Sequence, residues 1–127
     1  MEYDPDVAPN PQLWLRLDEG ERIQRVVQYH EAKRVKLPNL RMHATMHSIA
    51  ENQIAEGLPS VIRTMTRLQE QGLSRHDAIH AVASVVTEMI FDVLKPPRVG
   101  GRAFSQTEYD AKLDRLTAES WLAEFDE

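Results

Sequence analysis

Cysteine is absent from this chain of 127 residues. Its absence excludes disulfide bonds, thiolate metal ligands and a cysteine nucleophile. The side chains that can still hold a metal ion are the imidazoles of histidine and the carboxylates of aspartate and glutamate. Any metal site in this protein therefore uses nitrogen and oxygen ligands.

Long apolar runs and an excess of basic residues are also lacking. No apolar run approaches the ~20 residues of a membrane-spanning helix, so we expect no membrane insertion. The formal net charge of −5 disfavours binding to a nucleic-acid backbone. Residues Met1 to Gln12 have neither the basic start nor the apolar stretch of a secretory signal, so the expected location is the cytoplasm.

What is present is the composition of an ordinary globular protein, with 42% hydrophobic and 28% charged residues. The length suits a single domain over residues 1–127. Apolar residues recur at helical spacing through most of the chain, and no segment has the pattern of a strand. We predict an all-α fold, a compact bundle of four to five helices, with an irregular segment at 1–12 and a flexible loop at 96–104 before the last helix.

Capping residues and glycines indicate where the helices begin and end. Asp18 precedes the first predicted helix, and the second runs from Asn39 to a stop at Gly57. Ser74 caps a long fourth helix, and Ser105 begins the last one. The apolar face of this last helix either packs on the other helices or pairs with a second copy of the chain, so a homo-oligomer formed through the C-terminal helix is expected as one possibility.

Four of the five histidines form two pairs with the same spacing, His43 with His47 and His76 with His80. Residues four apart lie on one face of a helix, so each pair presents two imidazoles in the same direction. The eight-residue segments that begin at His43 and His76 are similar to each other. This similarity suggests two helical hairpins related by a pseudo-two-fold axis, which would bring the two pairs together.

The paired histidines predict a site for a divalent transition metal, with zinc as the leading candidate. Two pairs supply the four ligands of a typical structural zinc site, so the predicted ligands are His43, His47, His76 and His80. Nickel, iron and copper also accept imidazole. Four bound histidines would close the site, whereas three histidines and a water would leave a position for hydrolysis, so the sequence does not decide whether the protein is an enzyme.

Two further residues lie near the predicted site. His30, on the apolar face of the first helix, is a candidate for a fifth nitrogen or for a hydrogen bond to a ligand. Glu51 lies one turn beyond His47, but its separation from His43 prevents all three from binding one ion from a straight helix. The alternative to a metal site is a metal-free interaction module or homodimer, in which the histidines form a buried hydrogen-bond network.

Other chemistries find little support in the residues. The string from His76 to His80 differs from the zinc-protease motif H-E-x-x-H in having Asp77 in place of the glutamate, and no third-ligand motif follows it. The chain has no G-x-S-x-G nucleophile motif. A helix-turn-helix over residues 68–82 would place Arg75 and His76 at a DNA groove, but the acidic total disfavours it.

The stretch from His43 to Phe91 resembles a family of small bacterial proteins known as domain of unknown function 1841. The matching positions are the two histidine pairs with Met46, Gln53, Asp77, Ala78, Glu88, Met89 and Ile90. The chain departs from the family pattern at Phe91, where the family often has tryptophan, and in the position of Glu51. The resemblance implies a helical fold and a shared histidine constellation, but no substrate.

Overall fold

The chain folds into helices joined by short connections, as shown by a computed structural model that describes residues 1–125, and the side chains of residues 1–124. The last two positions of the predicted domain, 126 and 127, lie outside the described residues. Helix, including a short 3-10 helix at Pro97–Val99, makes up 71% of the described residues, which contain no strand. Its seven α-helices are α1 (Pro11–Arg16), α2 (Glu19–Ala32), α3 (Leu40–Ala55), α4 (Pro59–Glu70), α5 (Arg75–Leu94), α6 (Gln106–Arg115) and α7 (Ala118–Phe125).

The predicted all-α class is confirmed, but the predicted four to five helices are too few. One additional helix is α1, where Asn10 caps the first turn by accepting a hydrogen bond from the backbone N–H of Leu13. The other arises because the chain becomes extended at Leu116 and divides the predicted last helix into α6 and α7. Thr117 and Ser120 then exchange side-chain to backbone hydrogen bonds, which is the reciprocal pattern of a helix start.

Asp18, Ser74 and Ser105 cap helices as predicted, and Asn39, predicted only as the start of a helix, is a fourth cap. The side chains of Asp18, Asn39, Ser74 and Ser105 each accept a hydrogen bond from a backbone N–H in the first turn of the helix that follows. Gly57 ends α3 with φ of +75°, a left-handed conformation that favours glycine. The lengths of α3 and α5, and therefore the register of the histidines on them, follow from these local signals.

Helix α3 is central to the packing, because it contacts α2 on one side and α5 on the other and also packs against α1 and α4. The larger apolar cluster lies among α3, α4, α5, α6 and α7, and contains the fully buried Leu68, Ile79 and Leu113. A smaller cluster surrounds Trp14 and Val26 and joins the N-terminal segment, α1 and α2 to α3. The molecule therefore has two apolar clusters that meet along α3.

Polar contacts hold α6 against this framework. The guanidinium of Arg67 on α4 donates to the backbone oxygens of Leu113 and Leu116, which lie at the end of α6. The hydroxyl of Tyr109 donates to the side-chain oxygen of Gln53 on α3 over 2.5 Å. The two bonds from Arg67 reach carbonyls at the end of a helix, where the backbone oxygens lack their full set of intrahelical partners. Among the described helices, none is both long and apolar enough to cross a membrane.

The larger apolar cluster should dominate stability. Replacing the fully buried Leu68 with alanine should lower the free energy of unfolding by about 2–5 kcal/mol, because the surrounding helices cannot close the cavity completely. The matched control is Ile62→Ala on the same helix, where the side chain is 39% exposed and the loss should stay below about 1 kcal/mol. Urea denaturation of both variants measures the difference, and equal losses would contradict this assignment of the core.

Candidate metal centre

All five histidines of the chain meet in one cluster. His30 comes from α2, His43 and His47 from α3, and His76 and His80 from the first two turns of α5. The closest pair of rings is His76 and His80, with centroids 4.2 Å apart, and His30 and His43 follow at 4.8 Å. The two predicted pairs face each other, with His43 and His80 at 5.0 Å and His47 and His76 at 5.6 Å.

The histidines whose nitrogens converge most closely are His30, His47, His76 and His80. One ring nitrogen from each lies within 4.8 Å of the other three, an arrangement that could hold a metal ion. In a tetrahedral zinc site with bonds of about 2.0 Å, the ligand atoms are separated by about 3.3 Å, so the four nitrogens would move closer together on binding one ion. Three of these four are predicted ligands. His43 lies beside them, and its ring contacts those of His30, His47 and His80.

Several buried ring nitrogens in the cluster have no hydrogen-bond partner among the described residues. They are Nδ1 of His47 and Nε2 of His43, His76 and His80. A buried polar atom without a partner costs about 1–3 kcal/mol, so four in one place are a substantial penalty unless something binds them. The cluster therefore offers several ring nitrogens that could bind a metal ion.

His30 is held by its own helix. Its Nδ1 lies 2.8 Å from the backbone oxygen of Val26, one turn earlier on α2. Because a carbonyl oxygen only accepts, Nδ1 carries the proton of the neutral ring. The lone pair is then on Nε2, and His30 can offer that nitrogen to an ion. His30 is 1% exposed, so its ring has little freedom to turn away.

His47 is oriented by a chain of hydrogen bonds that begins at the N-terminal segment. The hydroxyl of Tyr3 lies 2.8 Å from Nε2 of His47 and donates its proton to Glu51. Since the hydroxyl proton is used on Glu51, Tyr3 accepts from His47, and Nε2 carries the ring proton. The lone pair of His47 is therefore on Nδ1, the atom that lacks a partner inside the cluster.

Glu51 is positioned in turn by Arg75, the first residue of α5. Two guanidinium nitrogens of Arg75 donate to the two carboxylate oxygens of Glu51, each over 2.8 Å, in the bidentate geometry that favours this pair. Arg75 also donates to the backbone oxygen of Pro5 over 2.9 Å. Because both oxygens of Glu51 are bonded to protein groups, this carboxylate orients a histidine rather than binding an ion directly.

The cluster favours neutral imidazole. Burial, reinforced by the neighbouring histidines, lowers the pKa of His80 to about 3 and that of His43 to about 4. The same causes lower the pKa of His47 well below its usual value, and burial lowers the pKa of His76. At neutral pH these rings keep a lone pair free, which is the form that binds a metal.

Reasoning from the sequence identified both histidine pairs but gave less weight to the residues around them. His30 was recognised only as a candidate fifth nitrogen, because a single histidine on an apolar face is usually structural. Tyr3 lies in the segment predicted as irregular, and no local pattern connects it to His47, 44 positions later. Arg75 had one usable signal, since it adjoins His76 at the start of a helix, but the position of its partner Glu51 depends on how α3 and α5 pack.

The depressed pKa values predict acid sensitivity of the metal-free protein. Well above pH 6.5, His43 and His80 are neutral in both the folded and the unfolded chain. As the pH falls from 6.5 toward 4, the unfolded chain binds protons that folded His43 and His80 do not, so stability decreases. Each such histidine adds a slope of up to about 1.4 kcal/mol per pH unit.

Urea denaturation of chelator-treated protein at several pH values measures this slope. In the variant His80→Ala the slope between pH 6.5 and 4.5 should be smaller, because one of the protons taken up on unfolding is missing. A free energy of unfolding that stays constant over this range would show that the histidines are not buried as a neutral cluster.

The hydrogen-bond chain predicts a specific role for Tyr3. The variant Tyr3→Phe removes the acceptor for Nε2–H of His47 and one donor to Glu51, and should cost about 1–3 kcal/mol. It should also shift His47 toward the other tautomer, which the ¹⁵N chemical shifts of its ring report. Tyr29→Phe is the matched control, since this ring also packs in the cluster; it should leave the His47 tautomer unchanged. An unaltered tautomer in Tyr3→Phe would refute the role.

Comparison with protein-family models, with curated proteins and with solved structures finds no match to this chain. The resemblance of residues 43–91 to domain of unknown function 1841 therefore stays a prediction. What the protein does has to be argued from the arrangement of its histidines and of the groups that orient them.

Proposed function

We propose that this protein binds one divalent transition metal ion through its histidine cluster, with zinc as the leading candidate. The observation that carries the proposal is the convergence of one nitrogen each from His30, His47, His76 and His80 within 4.8 Å. The buried nitrogens without partners support it, because an ion would bind the lone pairs that the protein leaves unused.

The surroundings of the cluster also favour a metal. The lowered pKa values of His47, His76 and His80 favour neutral imidazole at physiological pH. Hydrogen bonds from the second ring nitrogen fix the orientation of His30 and His47. Orientation of a histidine by a partner on its second nitrogen is a regular feature of metal sites. An all-nitrogen set of ligand atoms suits zinc, copper, nickel and iron. Zinc is the preferred candidate because its filled d shell has no geometric preference of its own and it readily adopts tetrahedral coordination.

The proposed ligands are His30, His47, His76 and His80, with His43 as a neighbour able to bind the ion or a molecule attached to it. The four ligands predicted from the sequence differ from this set at one position, since they include His43 and not His30. With four histidines bound, the site is closed and stabilises the packing of α2, α3 and α5. With one of them released, an open coordination position would permit Lewis-acid chemistry.

Self-association is a second candidate function. Leu122 on α7 is 42% exposed, and this apolar side chain lies on the helix from which we predicted a homodimer contact. Sedimentation of the metal-free and metal-loaded protein measures the oligomeric state directly. A stable dimer that contains no metal would favour the interaction module over the metal site.

Elemental analysis of untagged protein, purified without chelator, tests the proposal. We expect about one metal ion per chain, and loss of that ion in His30→Ala, His47→Ala and His76→Ala. His43→Ala is the matched control, because the same cluster loses an imidazole from outside the proposed ligand set; it should retain the ion. Retention in His30→Ala with loss in His43→Ala would instead favour the four ligands predicted from the sequence.

A chelator adds an independent measurement. Removing a bound ion should lower the melting temperature of the wild-type chain and leave that of His47→Ala nearly unchanged, because this variant has no ion to lose. Protein that holds no metal, and that binds none when offered zinc, nickel, iron or copper, would overturn the proposal.

A further inference from the structure

An apolar cleft opens directly beside the histidine cluster, between α3, α5 and α7. Its volume is about 450 Å³, within the ~300–1,000 Å³ typical of small-molecule sites. Apolar side chains supply most of its lining, among them Leu37, Met42, Met46, Ala83 and Trp121. A ligand placed there would bury an apolar body against three helices.

The cleft and the histidine cluster share a wall. The rings of His43 and His80 line the cleft, and the same two rings contact each other in the cluster with centroids 5.0 Å apart. No acidic side chain, lysine or arginine lines the cleft within the described part of the chain. The hydroxyls of Ser84 and Thr87, which also line it, donate to backbone oxygens of their own helix. Asn39 also lines the cleft, and its side-chain oxygen accepts a hydrogen bond from the backbone N–H of Met42. The histidine end is the part of the cleft suited to a charged polar group.

The charge of an occupied metal site determines which polar group fits. Four neutral imidazoles leave the full +2 charge of a divalent ion uncompensated. The nearby carboxylate of Glu51 does not neutralise it, because that group is paired with Arg75. A negatively charged ligand atom is thus favoured at the metal, and a neutral His43 keeps one N–H that can donate to a second oxygen of the same group.

On the basis of the proposed metal site, we propose that this cleft binds small carboxylic acids with an apolar body. The carboxylate faces the metal and His43, and the apolar body lies against Met46, Ala83 and the other walls of the cleft. The carboxylate would take the coordination position that opens when one of the four histidines is released, and its apolar body would be buried in the cleft with no covalent change in the ligand. The metal would attract the carboxylate, and the cleft would favour acids with a larger apolar body over acids with a small one.

The test uses the full chain loaded with Co²⁺, whose visible absorption reports changes in coordination. Elemental analysis first establishes one cobalt per chain. The protein is then titrated with acetate and with 3-phenylpropionate, which share a carboxylate and differ in the apolar body. We expect both to change the cobalt spectrum and 3-phenylpropionate to bind at least about tenfold more tightly, because its ring and methylenes leave water.

Substitutions in the cleft separate this effect from simple metal binding. Ala83→Leu fills the cleft and should remove the preference for 3-phenylpropionate over acetate, while the cobalt content stays at one ion per chain because Ala83 is not a ligand. Thr87→Phe, at a half-buried position of the same wall, repeats the test if the first variant folds poorly. Ala103→Leu makes the same alanine-to-leucine change at an exposed position outside the cleft and should behave as wild type.

The outcomes distinguish the two proposals. A chain that holds no cobalt overturns the metal site itself. A chain that holds one cobalt but binds both acids equally, or keeps the preference in both cleft variants, overturns the carboxylate cleft and leaves the metal site standing.

Discussion

The ion pair between Arg75 and Glu51 is the contact on which the geometry of the histidine cluster depends. It joins the first residue of α5 to the middle of α3, with side chains that are 10% and 1% exposed. Charges buried this deeply are tolerated when their hydrogen-bonding capacity is filled, and here Tyr3 and the oxygen of Pro5 complete the set. The pair fixes the start of α5 relative to α3, and through Tyr3 it also fixes the proton on His47.

The histidine cluster is buried at a position where apolar side chains would be expected. The histidines lie where the two apolar clusters of the molecule meet, with His30 on the side of Val26 and His80 on the side of Ile79. Close-packed apolar side chains would serve stability better at such a junction. A sequence that places five imidazoles there departs from the local rules of core packing, and departures of this kind are expected at functional sites.

The fold class and the paired histidines could be predicted from the sequence because both depend on short-range patterns. Helical periodicity and caps such as Asn39 and Ser74 determine α3 and α5, and spacing by four places each pair on one face. The meeting of the two pairs was inferred from their similarity. Tertiary packing determines the break at Leu116, the hydrogen bond of Tyr3 to His47 and the position of His30 in the cluster. No spacing in the sequence encodes those contacts.

The distribution of the histidines has a consequence for the motions of the protein. Helices α1 and α2 pack mainly on α3, whereas α5 belongs to the other apolar cluster. An ion held by both His30 and His76 would link α2 to α5 directly and would close a chain loop that includes all of α3 and α4. Amide hydrogens in the last turns of α2 would then exchange with solvent only when the ion dissociates or a larger part of the fold opens, instead of through local release of this helix from α3.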